Sequence, residues 1–306
     1  YNFIELRIGR KIRMAKSKEG YFTEENSIDV VNERISEQCD PRLKEVMTVI
    51  VRKLHEAVKE IEPTQDEWMQ AIMFLTQTGH KTDDWRQEFI LLSDILGVSM
   101  LVDAINSRRP SGASENTVLG PFHIQGAPQL EMGANISLDG KGEPMYVSGR
   151  IIDTQGNPIS GAQIDIWQAN EDGFYDVQQK GIQPDFNLRG VFHTGEDGKY
   201  YFKSAKPKYY PIPDDGPVGK LLASLGRHPY RPAHFHYIVQ KKGYETLTTH
   251  LFDPDDEYIH SDAVFGVKES LMADFKRIED LKKIAEHGFT QPYFEVEYDF
   301  VLAREK

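Results

Sequence analysis

The second half of the chain consists of short runs in which apolar and polar residues alternate. The runs MYVSGRIID, AQIDIWQAN and FEVEYDFV place apolar side chains at most second positions, and turn-rich stretches such as TQGNPISG separate them. Alternation with a period of two is the spacing of a β-strand that buries one face. Many short strands with frequent turns predict an antiparallel sandwich or barrel.

The N-terminal part of the chain has helical spacing instead. Between residues 41 and 61, apolar residues recur every three or four positions, which predicts an amphipathic helix that Pro63 ends. Thr64 and Glu67 form a capping-box pattern before a second helix, which Gly79 is expected to stop. A third helix is expected to begin near Thr82 and to carry Trp85, Phe89, Leu92, Leu96 and Val102.

The chain is therefore expected to be an α+β protein with three segments. Residues 1–13 precede Met14 and lack the apolar region and cleavage site of a secretory signal, so we interpret them as an artificial or untidy leader. Residues 14–110 form the predicted helical region, and residues 111–306 form the predicted β-sandwich domain. A helical period at 270–287 lies between the last strands and has no assigned role.

Composition narrows the classes of function. The 306 residues include 36 Lys and Arg against 48 Asp and Glu, a formal net charge of −12, which disfavours binding to nucleic acid or to an anionic membrane. The sequence contains no apolar run of about 18 residues that would predict a membrane span. The single cysteine, Cys39, excludes a disulfide framework and a cysteine-built metal site, and predicts a reducing cytoplasm.

The segment RPAHFHYIVQ places two histidines on one face of a predicted strand. His234 and His236 would project the same way, roughly 6.5 to 7 Å apart at Cα, and could meet at one metal ion. Surface or hydrogen-bonded histidines are the alternative interpretation. Because Cys39 lies far away in the sequence, Asp, Glu or Tyr residues remain as further ligands. Tyr175 and Tyr210 are candidates since both lie in polar, turn-rich loops.

Four separated segments of the chain resemble the intradiol ring-cleavage dioxygenases. They are GAQIDIWQANEDGFYDVQ, NLRGVFHTGEDGKYYF, YPIPDDGPVGKLLASLGRHPYRPAHFHYIVQ and YETLTTHLF. The resemblance implies a β-sandwich metal domain, a helical region that forms a homodimer, and in some relatives a lipid at the dimer interface. It also implies that an aromatic diol or triol and O₂ are the substrates. The implied cofactor is one Fe(III) per subunit, bound by Tyr175, Tyr210, His234 and His236.

The resemblance also implies roles for residues around the metal. Arg231 is expected to stabilise negative charge on the substrate ring, and Tyr210 to accept a substrate proton. His250 stands where catechol-cleaving relatives commonly have glutamine, and is expected near the metal without being a fifth ligand. Asp94 is expected to accept a hydrogen bond from a third ring hydroxyl. The remaining residues of the predicted substrate pocket are Leu91, Val118, Gly120, Pro121, Phe122, Ile212, Pro213 and Val264.

Three functions remain open at this point. The segments GFYDVQ and DAVFGVKESL are most similar to those of family members that cleave hydroxyquinol (benzene-1,2,4-triol). This resemblance implies that the product is 3-hydroxy-cis,cis-muconate, the enol form of maleylacetate. Catechol or a substituted catechol is the alternative substrate. A non-catalytic β-sandwich binding module with a zinc site is the alternative of another class.

Overall fold

The computed structural model describes residues 21–83 and 86–305, so the predicted leader and Trp85 lie outside the described residues. The chain divides into two compact units, with the boundary between Phe74 and Leu75. None of the described helices is both long and apolar enough to cross a bilayer.

Two helices, α1 (Ser27–Glu33) and α2 (Pro41–Ile61), lie in the first unit. Helix α2 begins where the Asp40 carboxylate accepts a hydrogen bond from the Leu43 N–H at 2.9 Å, and it ends at Glu62 in the left-handed conformation. None of the 21 described residues of α2 is buried. The predicted apolar stripe is therefore exposed along the whole helix, at Leu43, Met47, Ile50, Leu54, Val58 and Ile61.

Helix α3 (Gln65–Lys81) begins with the predicted capping box. The Thr64 N–H donates to the Glu67 carboxylate at 2.8 Å, and the Glu67 N–H donates to Thr64 Oγ1 at 3.2 Å. The helix continues past Gly79, so the prediction that this glycine ends it is wrong. Glycine inside a helix costs only about 1 kcal/mol relative to alanine, which the neighbouring turns can offset.

Two short helices, α4 (Glu88–Ile95) and α5 (Val98–Asn106), replace the single third helix that was expected from Thr82. Gly97 lies between them with a φ of 72°. This left-handed conformation cannot continue a helix, and glycine adopts it without the steric penalty of a side chain. The helical spacing of apolar residues continues across Gly97, so the sequence pattern did not indicate that the helix is interrupted there.

Two sheets form the predicted sandwich in the second unit. Its elements are β1 (Pro144–Asp153), β2 (Gln163–Gln168), β3 (Arg189–His193), β4 (Lys199–Ala205), β5 (Tyr210–Pro211), α6 (Pro217–Ser224), β6 (Tyr230–Arg231), β7 (His234–Gln240), β8 (Leu247–Phe252), β9 (Lys276–Ile278), α7 (Leu281–Glu286), β10 (Tyr293–Glu297) and β11 (Phe300–Leu302). The second sheet has the order β3-β2-β7-β8 and is antiparallel throughout. In the first sheet, β1 pairs antiparallel with β4 but parallel with β10 and β11. This parallel pairing departs from the antiparallel prediction, because β10 and β11 reach β1 from far along the chain and not through a hairpin.

The region 270–287 is not the continuous helix that its spacing predicted. A short 3-10 helix (Glu269–Leu271) ends at the start of this region, α7 is its only described α-helix, and β9 pairs antiparallel with β10. The Asp280 carboxylate starts α7 by accepting a hydrogen bond from the Lys283 N–H at 2.9 Å. Pairing at the edge of a sheet has therefore outweighed the local helical spacing before Asp280.

Apolar side chains from both sheets fill the space between them. Val147 of the first sheet and Phe235 and Tyr237 of the second belong to one buried cluster. Because side chains alternate along a strand, His234 and His236 face the other side of β7. The histidine pair thus lies on the outer face of the second sheet, where loops cover it.

Strand β1 changes its parallel partner at Gly149. The Tyr298 N–H donates to the Ser148 carbonyl at 2.9 Å, between the stretches paired with β10 and with β11. A Cβ atom at Gly149 would lie 1.8 Å from the Tyr298 carbonyl oxygen. Only glycine leaves room for this close approach of two backbones.

Candidate metal centre and substrate pocket

The two histidines of β7 form the centre of the candidate site. His234 Nδ1 lies 2.6 Å from the carbonyl oxygen of Pro232, which makes Nδ1 the donor and leaves the lone pair on Nε2. This Nε2 atom lies 3.1 Å from Nε2 of His236. Both side chains are buried. The strand thus brings two imidazole nitrogens to one point, as its alternation predicted.

The two predicted tyrosines converge on the same point, Tyr175 from a loop and Tyr210 from the short strand β5, where a loop had been expected. Tyr175 Oη lies 2.9 Å from Nε2 of His236, and the rings of Tyr175 and Tyr210 are perpendicular with centroids 5.3 Å apart. Both tyrosines are buried. Gly173 permits this approach, because a Cβ atom there would lie 2.8 Å from the carbonyl oxygen of Tyr209. The structure therefore gathers all four predicted ligands.

A third histidine, His250 of β8, belongs to the same cluster. One ring nitrogen of His250 lies within 4.8 Å of one ring nitrogen of His234 and of one ring nitrogen of His236. Thr117 Oγ1 forms a hydrogen bond with His250 Nδ1, while Nε2 is buried and has no hydrogen-bond partner among the described residues. His250 is therefore a buried neighbour of the histidine pair with an unused nitrogen, and its predicted place outside the ligand set stays a prediction.

Burial keeps the three imidazoles neutral. Burial and, secondarily, the positive charge of Arg231 lower the pKa of His234 to about 3. Burial, followed by the neighbouring histidines, holds the pKa values of His236 and His250 well below the usual range. Near neutral pH their nitrogens are thus available as metal ligands.

The phenol of Tyr175 has the opposite shift. Burial and the adjacent Tyr210 raise the pKa of Tyr175 well above its usual value of 10. A phenolate here therefore requires a strong positive charge in contact with it. The donor set fits a trivalent ion, because two phenolates would offset two of its charges while neutral imidazoles supply the other donors.

Arg231 of β6 brings a positive charge to the edge of this cluster. Its side chain is buried, and Nη1 lies 3.5 Å from both Tyr210 Oη and His234 Nε2. Burial lowers the pKa of Arg231, but the carboxylate of Asp262 together with Tyr210 and Tyr175 outweighs burial, and the net effect raises this pKa. Burial raises the pKa of the Asp262 carboxyl, but Arg231 together with a hydrogen bond from the Val264 N–H outweighs burial, and the net effect lowers this pKa. The sequence analysis did not identify Asp262.

The sequence analysis also missed two aromatic residues, Trp167, which packs next to His236, and His123, which packs next to Trp167. The Trp167 ring stacks on His236, with centroids 4.6 Å apart and planes 10° apart. His123 packs against Trp167 and forms a 2.9 Å contact with the Asp165 carboxylate. Trp167 pairs with His236 in the register of β2 and β7. Knowing that β2 pairs with β7 in this register would have placed Trp167 beside His236. The sequence alone does not give that pairing.

Asp94 of α4 is half-buried and lies within the electrostatic influence of the site. Burial raises the pKa of its carboxyl, and a hydrogen bond with Ser99 and the charge of Arg231 offset this only in part. Asp262 adds a like charge nearby. Asp94 is therefore a carboxylate that gains stability from an additional hydrogen-bond donor.

The remaining predicted pocket residues fall into two groups. The first group lies at or beside the site elements. Phe122 stacks on Tyr175 at 4.4 Å, and a Cβ atom at Gly120 would lie 3.2 Å from His236 Cε1. Ile212 and Val264 are buried, two residues after Tyr210 and Asp262 in the sequence. Leu91 and Val118 are half-buried, whereas Pro121 and Pro213 are exposed. For these four residues, a place in the pocket wall stays a prediction.

The neutral state of His234 makes the stability of the metal-free protein depend on pH. Between about pH 6.5 and pH 3, the unfolded chain binds a proton at this imidazole that the folded chain does not, so stability falls as the pH decreases. We expect urea titrations of chelator-treated protein to give a free energy of unfolding that falls with pH more steeply than in His234→Gln, by about 1 kcal/mol per pH unit. Equal slopes for the two proteins would contradict a buried, neutral His234.

Two family profiles match the chain. The profile described as "Dioxygenase" matches residues 118–304, and the profile described as "Catechol dioxygenase N terminus" matches residues 40–114. The first covers the sandwich with the four predicted metal ligands, and the second covers α2 to α5.

Relatives and solved structures agree with these profiles. A protein of Rhizobium sp. (strain MTP-10005) named hydroxyquinol 1,2-dioxygenase is 69% identical over 287 residues, which are 94% of this chain and 97% of the relative. The crystal structure of hydroxyquinol 1,2-dioxygenase from Pseudomonas putida DLL-E4 is 45% identical, with a TM-score of 0.87 over 92% of this chain and 99% of that one. Catechol 1,2-dioxygenase from Acinetobacter radioresistens is 28% identical, with a TM-score of 0.81 over 94% and 95%. The chain belongs to the intradiol ring-cleavage dioxygenases.

Proposed function

We propose that the protein cleaves hydroxyquinol between its two adjacent hydroxyl-bearing carbons with O₂, and so forms 3-hydroxy-cis,cis-muconate. The observation that carries this proposal is the convergence of Tyr175, Tyr210, His234 and His236 at one buried point beside Arg231. Support for this substrate comes from the 69% identical relative named hydroxyquinol 1,2-dioxygenase.

We assign one Fe(III) ion per subunit to this point, held by Tyr175, Tyr210, His234 and His236. When bound, Fe(III) supplies Lewis acidity that lowers the pKa of both hydroxyls of a chelating diol and makes the ring reactive toward O₂. The fit rests on the donor set, since a buried phenol with a raised pKa needs a cation to ionise. His234 is held ready for the ion by its hydrogen bond to Pro232.

The surrounding side chains would orient the substrate and manage its charge. Tyr210 Oη lies at the edge of the cluster next to Nη1 of Arg231, where the phenolate can accept one substrate proton. The fixed positive charge of Arg231 would stabilise negative charge that develops on the ring. The rings of Phe122 and Trp167, stacked on Tyr175 and His236, limit access of water to the ligands.

Asp94 would select the triol over the diol. Hydroxyquinol has a third hydroxyl that can donate a hydrogen bond, and a half-buried carboxylate with a raised pKa gains from accepting it. Catechol lacks this hydroxyl and would leave Asp94 without the additional donor, with its hydrogen bond to Ser99 as before. A site built around such a hydrogen bond discriminates more strongly than an apolar wall.

The metal assignment predicts a coloured protein. Freshly purified protein should contain about one iron per chain and absorb visible light through tyrosinate-to-Fe(III) charge transfer, because an electron-rich phenolate oxygen would be bound to an electron-poor ferric ion. Tyr175→Phe should weaken and shift this band, whereas Tyr146→Phe, on strand β1, should leave it unchanged. A colourless protein that contains zinc would contradict the proposal and favour a binding module.

The substrate assignment predicts a selective effect at Asp94. Asp94→Leu, and to a lesser degree Asp94→Asn, should lower kcat/KM for hydroxyquinol by about tenfold or more, and change it about twofold or less for catechol. Oxygen uptake with each substrate measures the two values. Asp103→Asn on α5 is the matched control and should behave like the wild type. Equal losses on both substrates would contradict the role of Asp94.

We further propose that residues 14–110 form a homodimerisation region and residues 111–306 the catalytic domain. The support is the exposed apolar stripe of α2, where Leu54 and Val58 have 59% and 55% of their surface accessible. Exposed apolar stripes of this length usually belong to interfaces. A lipid at the interface and a cytoplasmic location, the latter supported by the single free Cys39, complete this part of the proposal.

The dimer proposal predicts that a charge on the stripe separates the subunits. Leu54→Glu should raise the dimer dissociation constant by about tenfold or more, because it places a carboxylate in an apolar interface. Analytical ultracentrifugation over a range of concentrations measures this constant. Lys53→Glu adds the same carboxylate one position away, on the polar side, and should change it little. A wild-type protein that is monomeric throughout would refute the dimer.

A further inference from the structure

The guanidinium of Arg231 is held almost entirely from one side. Its Nε donates to Asp262 Oδ1 at 3.1 Å, and Nη2 donates to Asp262 Oδ2 at 3.3 Å. Only Nη1 is turned toward the predicted metal ligands, at 3.5 Å from both Tyr210 Oη and His234 Nε2. A two-point hydrogen bond of this kind fixes the plane of the guanidinium and not only its position.

The carboxylate of Asp262 is itself held by its own loop. The Val264 N–H donates to Oδ1 at 3.2 Å, and the Gly266 N–H donates to Oδ2 at 2.8 Å. Each carboxylate oxygen therefore receives one backbone and one guanidinium hydrogen bond. The Asp262 side chain is buried, so no freely rotating state competes with this arrangement.

Gly266 provides the space that the guanidinium needs. A Cβ atom at this position would lie 2.7 Å from Nη2 of Arg231 and 3.0 Å from Oδ2 of Asp262. The φ of Gly266 lies outside the left-handed region, so its conformation does not require glycine. The close packing against Arg231 does.

The loop 262–266 is attached firmly to its neighbours. The Ala263 N–H donates to the Tyr230 carbonyl at 3.1 Å, directly before Arg231. Arg227 donates to the carbonyls of Ala263 at 2.9 Å and of Ile95 at 2.5 Å. Arg227 also lies 4.7 Å from the centre of the Phe265 ring. These contacts connect the loop to β6 and to the end of α4, the helix that carries Asp94.

We propose that Asp262 and Gly266 are positioning residues for ring cleavage: they fix the Arg231 guanidinium so that Nη1 alone faces the substrate and the Tyr210 oxygen. This inference deepens the proposed function and rests on it. A charge that is already oriented before the substrate binds needs no reorganisation during the reaction, and this is the main source of electrostatic stabilisation in enzymes. Without Asp262, the guanidinium would retain its charge but lose its fixed direction.

A double-mutant cycle separates positioning from a merely structural role. Asp262→Asn should lower kcat for hydroxyquinol by about tenfold or more and change KM less, because the guanidinium acts in the transition state. In an Arg231→Gln background, the same substitution should cost a further factor of about two or less. If Asp262→Asn costs the same factor in both backgrounds, Asp262 does not act through Arg231, and the inference is overturned.

Gly266→Ala tests the same inference without removing a charge. The added methyl group should displace the guanidinium, lower kcat by about tenfold and shift the visible band of the iron-loaded resting enzyme, with the iron content unchanged. Gly195→Ala is the matched control, since a Cβ atom there meets only the flexible Asp197 side chain at 3.4 Å. A folded Gly266→Ala enzyme with the kcat and the band of the wild type would refute the role of Gly266.

The two levels of the proposal can fail separately. If the wild type takes up no oxygen with hydroxyquinol or catechol, the proposed function is wrong, whatever the variants do. The band of the resting enzyme still reports whether Asp262 and Gly266 orient Arg231 toward the Tyr210 oxygen. If the wild type is active and the cycle is additive, only the positioning role is wrong.

Discussion

Buried phenols and imidazoles that have few partners other than one another impose the main constraint on this structure. Tyr175, His236 and His250 are each buried, and each has a pKa shifted toward its neutral form. Such a cluster costs free energy unless something compensates for the lost hydration. A metal ion compensates by converting the same groups into ligands. The stability of the domain and its proposed chemistry therefore depend on the same side chains.

The second sheet lies between this cluster and the apolar core, so the two are on opposite faces of the same strand. Along β7, Phe235 and Tyr237 face the core while His234 and His236 face the covering loops. The two imidazoles are therefore fixed by a strand that is paired on both sides, whereas Tyr175 comes from a loop outside the two sheets. The position of the imidazoles thus depends on strand pairing, and the position of Tyr175 depends on the packing of its loop around the buried side chain.

Sequence reasoning succeeded where a local pattern carried the information. The alternation in RPAHFHYIVQ predicted a shared face for His234 and His236, and the family resemblance supplied the two tyrosines. It failed where tertiary contact decided the outcome, as with β9, which pairs at a sheet edge despite its helical spacing. Asp262 was missed for the same reason, since it lies 31 residues from the arginine it contacts. No periodicity links residues that meet only in the folded chain.

The parallel pairing of β1 with β10 and β11 has a consequence for the order of folding. Met145 pairs with Phe294, so the strand that opens the sandwich reaches these partners only after about 150 further residues have been synthesised. The segments that carry Tyr175, Tyr210 and the β7 histidines are synthesised earlier, when the first sheet still lacks β10 and β11. During translation, the first sheet is therefore completed late. The segments that carry the four predicted ligands are synthesised before β10 and β11, which complete that sheet.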